Sequence, residues 1–164
     1  MIVVSDTTPL ISLLKIDRLD LLERLFGRVM IPLAVYKELT ADKRYEAEAE
    51  QLESKPFISV EPVNNEESVS ILKRATGLDQ GESEAIVLAD EAKADLLLMD
   101  EAKGRSVSAE MGFKIMGTIG ILIAAFEEKE LDADEVKSCI TGLQRTGRHI
   151  GQRHYQMILD ILDN

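Results

Sequence analysis

Four acidic residues occupy positions at which a fold of alternating strands and helices would bring them together. Asp6 directly follows the first short apolar run of the chain, and Asp100 directly follows the fourth. Glu38 and Glu82 lie in segments of helical pattern, each beside apolar residues that should face a core. In an open parallel sheet, ligands bind beyond the carboxyl ends of the strands, where the strand order reverses. If the two strands are neighbours, we expect the four carboxylates to face one crevice.

A cluster of carboxylates at the edge of a core favours binding of a hard cation. Without a cation the carboxylates would repel one another and lose hydration, so that some would have to stay protonated. Oxygen ligands suit Mg²⁺ or Mn²⁺ better than zinc, which prefers nitrogen and sulfur. Mg²⁺ usually keeps several waters, one of which can attack a phosphodiester. The acids therefore favour metal-dependent phosphoryl chemistry.

Each of these acids taken alone has a simpler interpretation. Asp6 and Asp100 could each cap the helix that follows it. Glu38 could be an ordinary exposed glutamate of a helix. Glu82 could be a first-turn glutamate placed for the helix dipole. Only the combination favours a functional site.

The segments that must position these acids alternate between strands and helices. Short apolar strands are expected at 1–5, 28–31, 57–60, 95–99 and 114–116. Helical patterns fall between and after them, at 7–14, 16–26, 32–39, 41–55, 66–74, 79–89, 101–109, 118–126, 132–142 and 150–162. This alternation implies parallel βαβ units with right-handed crossovers. We expect an α/β fold, a three-layer α/β/α sandwich around a mainly parallel sheet of four to five strands.

Length and composition limit the classes of protein to consider. The 164 residues suit a single domain, with a core at about 1–126 and C-terminal helices at about 127–164. A formal charge of −11 excludes a generally basic surface for nucleic acids, and the single Cys139 excludes an internal disulfide or a Cys-rich zinc site. No apolar run approaches a membrane span, and the start lacks a signal-peptide pattern, so a cytoplasmic location is expected.

Four stretches of the sequence together resemble the PIN-domain nucleases, especially the VapC-like ribonuclease toxins and their uncharacterised relatives. They cover most of residues 1–125, and the ordered set of acids is more specific than any one piece. The stretches are VVSDTTPLI (3–11), VMIPLAVYKEL (29–39), GESEAIVLADEAKADLLLMDEAKGR (81–105) and AEMGFKIMGTIGILIAA (109–125).

Residue by residue, the resemblance assigns roles to the acids as catalytic groups and metal ligands. Asp6 matches the family's first-strand aspartate, and Thr8 matches the small hydroxyl residue two positions later. Glu38 matches the helical glutamate of a V-x-x-E-L segment. Glu82 falls where many members have an aspartate, and Asp100 matches the aspartate that closes the fourth strand. The resemblance implies a Mg²⁺- or Mn²⁺-dependent endoribonuclease that leaves a 5′-phosphate, forms a homodimer and, in toxin members, is held by a cognate antitoxin.

Two neighbouring glutamates leave the assignment open. Glu82 stands where aspartate is commoner, so its longer side chain would shift the metal. Glu84 is a rival for the same role, because its neighbours one turn later are also apolar. We favour Glu82 because it lies nearer the helix start, where the dipole favours an ionised carboxylate. Glu101 directly follows Asp100 and is a candidate supporting acid.

Basic residues near these acids and in the tail are candidates for RNA contacts. Arg105 and Lys103 lie just past Asp100; Arg105 is the better candidate, and Lys103 fits a solvated helix face better. Arg145 and Arg148 belong to a stretch without acids, which could bind RNA or a protein partner or balance the acidic segment before it.

Two other classes of protein compete with the nuclease. A PIN-like module that binds nucleic acid or protein without cutting is credible because the net charge of −11 disfavours tight, sequence-independent RNA binding. A phosphoacceptor receiver is disfavoured, because receivers pair two acids after the first strand and here Asp6 is preceded by Val4 and Ser5.

Overall fold

A computed structural model describes all residues, 1–164, as one sheet surrounded by helices. The strands are β1 (Val3–Ser5), β2 (Val29–Pro32), β3 (Ile58–Glu61), β4 (Leu96–Leu98) and β5 (Ile115–Met116). The helices are α1 (Thr7–Lys15), α2 (Asp20–Phe26), α3 (Leu33–Ala41), α4 (Glu46–Glu53), α5 (Glu66–Thr76), α6 (Gln80–Ala92), α7 (Ala102–Glu110), α8 (Thr118–Glu127), α9 (Ala133–Arg145) and α10 (Gln152–Leu162). No helix is both long enough and apolar enough to cross a membrane.

The sheet is parallel throughout, with strand order β3-β2-β1-β4-β5. The chain therefore builds outward from β1 to one side and then returns to place β4 on its other side. Val4 of β1 pairs with Leu97 of β4, which confirms that the two acid-bearing strand ends are neighbours. The gap between these strand ends is the point of reversal at which open α/β sheets bind ligands. The predicted α/β/α sandwich is confirmed, with five strands.

Alternation along the strands divides the apolar residues between two layers. Val3, Leu96 and Leu98 belong to a large core, whereas Val4, Leu97 and Met99 belong to a smaller one. Successive side chains of a strand point to opposite faces, so these short continuous apolar runs serve both layers. Helices α1 to α4 and α8 to α10 contribute to the large core, and α6 supplies half of the small one.

The charged stretch predicted as one solvated helix at 41–55 is divided. The Asp42 side chain accepts a hydrogen bond from the Arg44 amide and begins a short 3-10 helix, Lys43–Tyr45. Helix α4 follows and buries Ala49 and Leu52, so it is only partly solvated. The capping aspartate, which the sequence interpretation overlooked, explains the break.

The C-terminal helices pack on the large core. Val136 and Ile140 of α9 and Ile158 of α10 are buried in the same cluster as Val3 of β1. The segment that joins α9 to α10 is anchored by the buried Ile150 and passes close to the end of β4. This path brings part of the predicted basic stretch to the edge of the sheet where the acids lie.

Candidate active site

Asp6 lies at the end of β1 in a buried position. Its amide donates to the Leu98 carbonyl across the sheet at 2.9 Å, which fixes the backbone at the reversal point. The residue is 4% exposed, and its side chain makes no capping hydrogen bond to α1. Burial raises the pKa of Asp6 to about 7, and the charges of Asp79, Glu38 and Asp100 add to that increase. The simpler interpretation of Asp6 as a helix cap is therefore wrong.

Glu82 lies in the first turn of α6. One of its carboxylate oxygens accepts a hydrogen bond, and the other has no partner. The Asp79 carboxylate accepts from the Glu82 amide at 2.8 Å, and Glu82 Oε1 accepts from the Asp79 amide at 3.3 Å. Together they form a capping box. Glu82 Oε2 is buried and accepts no hydrogen bond. Burial raises the pKa of Glu82 to about 8, and the charges of Asp79 and Asp6 contribute.

Glu38 extends from α3 toward the start of α1. Its Oε2 atom accepts from the Thr7 hydroxyl at 2.9 Å. A Cβ atom at Gly81 would lie 3.3 Å from the same oxygen, so α6 approaches Glu38 closely where Gly81 carries no side chain. Thr8, the predicted supporting hydroxyl, is exposed on α1, whereas Thr7 is buried. The hydroxyl that contacts an acid therefore belongs to the residue directly after Asp6.

Asp100 lies just past β4 and accepts four hydrogen bonds. Oδ1 accepts from the Thr118 amide at 2.8 Å and from Arg148 Nη2 at 2.9 Å. Oδ2 accepts from the Thr118 hydroxyl and from Arg148 Nη1, the latter at 3.2 Å. Asp100 thus caps α8, and the interpretation of Asp100 as the cap of α7 is wrong. Glu101 performs that task by accepting from the Gly104 amide at 2.7 Å, a bond that lowers the pKa of Glu101.

The rival acid Glu84 faces a different element. Its Oε1 atom accepts from the Ala34 amide at 3.1 Å, in the first turn of α3, and its Oε2 atom accepts from Gln80 at 2.6 Å. These bonds occupy Glu84 at the junction of α3 and α6. Glu82 instead lies near Asp6, whose charge adds to the effect of burial in raising the pKa of Glu82.

Two of the four predicted RNA-contacting residues line a cleft that begins at Asp100. Arg105 and Arg148 border this space of about 840 Å³, and His154 of α10 also borders it. Arg105 donates to the Met99 carbonyl at 3.3 Å, which keeps its guanidinium near the strand end. Apolar side chains from β5 and α8 form part of the lining: Ile115, Met116, Ile119 and Ile123.

The other two predicted contacts lie elsewhere. Lys103 extends toward the turn before α6, where a Cβ atom at Gly77 would lie 2.8 Å from its Nζ atom. Arg145 borders a separate cavity of about 470 Å³ together with Lys15 and Arg18. The structure therefore divides the predicted basic set into one pair beside Asp100 and two residues apart from it.

The four carboxylates are of the chemical type that binds a hard divalent cation, although they lie apart from one another. No three acidic, histidine or cysteine side chains lie within common reach of one ion. Asp6 and Glu82 are nevertheless desolvated carboxylates, and one oxygen of Glu82 lacks any partner. Carboxylate oxygens of this kind are ligands for Mg²⁺ or Mn²⁺.

Three residues at the site were not singled out from the sequence. Asp79 and Glu82 fit the D-x-x-E pattern of a capping box, so Asp79 could have been found from spacing alone. Thr7 directly precedes Thr8, and the sequence interpretation selected Thr8 alone. Thr118 lies 18 residues beyond Asp100, and no local signal joins the two.

The family model described as PIN domain matches residues 2–164. No curated protein matches the chain. PIN domains are generally nucleases, and such nucleases typically use divalent metals. With nearly the whole chain matched by this model, the protein belongs to the PIN-domain family, which is of the nuclease type.

Proposed function

We propose that the protein is a Mg²⁺- or Mn²⁺-dependent endoribonuclease that hydrolyses RNA by metal-activated water and leaves a 5′-phosphate. The observation that supports this most strongly is the pair Asp6 and Glu82 at the reversal point of the sheet. Both carboxylates are desolvated and lack a cationic partner within the chain. A fold retains such groups at a cost in stability, and a bound cation would offset that cost.

Asp6 and Glu82 would hold the cation, with Glu38 and Asp100 as the further candidate ligands. When bound, a divalent cation supplies an acidified water and offsets the charge that develops on the phosphate. Thr7 holds Glu38 in place through its hydroxyl, and Asp79 holds Glu82 at the start of α6.

The cleft beside Asp100 suits the flanking part of a single-stranded RNA. Arg105 and Arg148 would bind phosphates with their guanidinium groups, and His154 stands at the same cleft. The apolar lining from β5 and α8 offers a surface for bases, as is usual for single strands. The two arginines form a local basic patch in a chain whose charge is −11, so RNA binding would depend on this cleft. Lys103 and Arg145 stay weaker candidates because they lie away from it.

A non-catalytic PIN-like module that binds RNA or protein is the alternative. The observation that favours it is the commitment of Asp100 to Thr118 and Arg148, which leaves this acid engaged within the chain. A role as the toxin of a toxin-antitoxin pair, held by a cognate antitoxin, and a homodimeric state stay predictions from the family resemblance.

RNA cleavage with a matched pair of variants tests the proposal. Labelled single-stranded RNAs are incubated with Mn²⁺ or with EDTA and with wild type, Asp6→Asn or Glu84→Gln. We expect cleavage only with Mn²⁺, products with a phosphatase-sensitive 5′ end, and a loss of about 100-fold or more in Asp6→Asn. Glu84→Gln keeps an oxygen for the Ala34 amide and should cut normally. RNAs that are bound but left intact by wild type would favour the binding module.

A further inference from the structure

Arg148 joins the C-terminal part of the chain to Asp100. It lies in the segment between α9 and α10, 48 residues beyond its partner. Its two terminal nitrogens approach the two oxygens of Asp100 in the two-pronged manner typical of arginine and carboxylate. Nη1 also donates to the Ser12 hydroxyl of α1 at 3.1 Å. Arg148 therefore connects three parts of the fold at one strand end.

These bonds use the whole acceptor capacity of Asp100. An ionised carboxylate offers about four lone-pair sites. Two are taken by the amide and the hydroxyl of Thr118, and two by Arg148. A cation can bind Asp100 only if one of these donors leaves. The Thr118 bonds belong to the start of α8, so the arginine is the donor that can leave without disturbing a helix.

The cleft beside Asp100 has room for the Arg148 guanidinium once its bonds to Asp100 are broken. Its side chain is 25% exposed, whereas that of Asp100 is 8% exposed. The guanidinium already borders the cleft that holds Arg105 and His154, so a change of rotamer would take it into solvent-filled space. Loss of its bonds to Asp100 would loosen the segment between α9 and α10 without detaching it, because Ile150 is buried and the Arg148 amide donates to the Leu143 carbonyl at 3.0 Å.

We propose that Arg148 is a built-in competitor of the divalent cation for Asp100. The guanidinium holds the carboxylate in the metal-free protein and weakens cation binding, and cation binding at Asp100 releases the guanidinium into the cleft. This inference rests on the metal-binding part of the proposed function and not on the identity of the substrate.

A simple charge effect must be separated from competition for lone pairs. Arg105 supplies the needed comparison, because a Cβ atom at Gly117 would lie 2.7 Å from Arg105 Nη1 and also 2.7 Å from Asp100 Oδ1. Arg105 is thus a nearby cation that bonds to the Met99 carbonyl instead of the carboxylate. If charge alone weakened cation binding, removing either arginine would have a similar effect.

The test is Mn²⁺ binding to the full chain without RNA, measured from the electron paramagnetic resonance signal of free Mn²⁺. The variants are Arg148→Gln, Arg148→Lys and Arg105→Gln. We expect binding about 10-fold tighter in Arg148→Gln. In Arg148→Lys we expect it about 3-fold tighter, because lysine keeps the charge without the two-pronged geometry. Arg105→Gln should change it less than about 2-fold.

Hydrogen exchange of wild type gives a second readout that does not depend on any substitution. Amides at 146–151 should exchange faster when Mn²⁺ is added, because the bond that ties Arg148 to Asp100 is broken, and those of α4 should not change. Unchanged or weaker Mn²⁺ binding in Arg148→Gln would overturn the proposal, as would an equal gain in Arg105→Gln. If wild type cuts RNA with Mn²⁺ while Arg148→Gln binds Mn²⁺ like wild type, only this inference fails. If no protein binds Mn²⁺, the metal-dependent function fails with it.

Discussion

Asp6 and Asp100 end neighbouring parallel strands, yet the fold treats the two carboxylates in opposite ways. Asp6 is buried without a cationic partner, and its pKa is raised to about 7. Asp100 is nearly as buried, but it accepts four hydrogen bonds, two of them from a guanidinium. We call Asp6 and Glu82 the open side of the site, and Asp100 with Thr118 and Arg148 the neutralised side.

The difference shows that equal positions in a sheet do not make equal sites. Desolvation acts on both acids, and only the long-range partners decide whether it is offset. The open side carries an electrostatic cost that a cation from solution could remove. On the neutralised side, the guanidinium of Arg148 already supplies the positive charge. Experiments that change one side at a time should therefore give opposite results.

The largest effect should come from the open side, in a comparison of two glutamates on α6. Glu82→Gln removes a charge from the candidate cation site, and we expect RNA cleavage to fall about 100-fold or more. Glu84→Gln keeps its bond to the Ala34 amide, and the rate should stay within about 3-fold of wild type. Initial rates with saturating Mn²⁺ measure both. Equal losses in the two variants would remove the distinction between these glutamates.

The next effect concerns stability and pH on the open side. A carboxyl whose pKa is higher in the folded state than in the unfolded state binds more protons when folded. The stabilisation that Asp6 contributes is therefore complete below pH 3.8, the ordinary pKa of aspartate. It is lost as the pH rises toward about 7, the pKa of Asp6 in the folded protein. For Asp6 this loss amounts to at most about 4 kcal/mol. Metal-free wild type should become less stable from pH 5 to pH 8.

Asp6→Asn should remove most of that loss. The variant has no carboxyl to ionise, so in EDTA we expect its unfolding free energy to exceed that of wild type at pH 8, with little difference at pH 4. Urea denaturation at several pH values measures the slope. A wild type whose stability rises between pH 5 and pH 8 by the same amount as the variant would contradict the buried, unpaired state of Asp6.

The neutralised side should respond in the opposite direction. Asp100→Asn replaces one accepting oxygen by an amide group, which faces donors from Thr118 and Arg148. We expect a loss of about 2 kcal/mol in unfolding free energy at pH 8, because the guanidinium is left without its partner. The same urea experiments in EDTA measure it, with the exposed Asp163→Asn as control. Stabilisation by Asp100→Asn would show that both sides are alike.

The smallest effect should come from the hydroxyl that holds Glu38. Thr7→Val keeps the shape of a buried side chain and removes the donor to Glu38 Oε2. Mn²⁺ affinity should fall about 10-fold, as expected for a residue that orients a ligand without touching the ion. Thr8→Val is the matched control on the exposed face of α1 and should have no effect. A greater effect at Thr8 would reverse this assignment.

Local patterns were sufficient to predict the fold. The runs at 1–5 and 95–99 are apolar at every position because their residues serve two cores, and such continuity indicates a buried parallel strand. Strand bounds shifted by only one or two residues. The predicted helix at 41–55 is shorter in the structure, Glu46–Glu53, because Asp42 caps a separate short turn, which average composition does not reveal.

The site could be predicted only in part, because type and spacing do not determine partners. Strand ends identified Asp6 and Asp100 as candidates. They did not indicate that Asp100 would accept hydrogen bonds at both oxygens from within the chain. Its partner Arg148 lies 48 residues further along, and no local pattern connects the two residues. The choice between Thr7 and Thr8 depends on the rotation of the first turn of α1, which only the packed structure determines.

The order of the site residues along the chain has a consequence for the synthesis of the protein. Asp6, Glu38, Glu82 and Asp100 are all synthesised before the residue that neutralises Asp100. At about 5–20 residues per second, a ribosome adds Arg148 roughly 2–10 s after Asp100. During that interval the nascent chain carries every candidate ligand of the site but not yet its internal cation. The charge of Asp100 can therefore be balanced from within the chain only after the C-terminal part has been made.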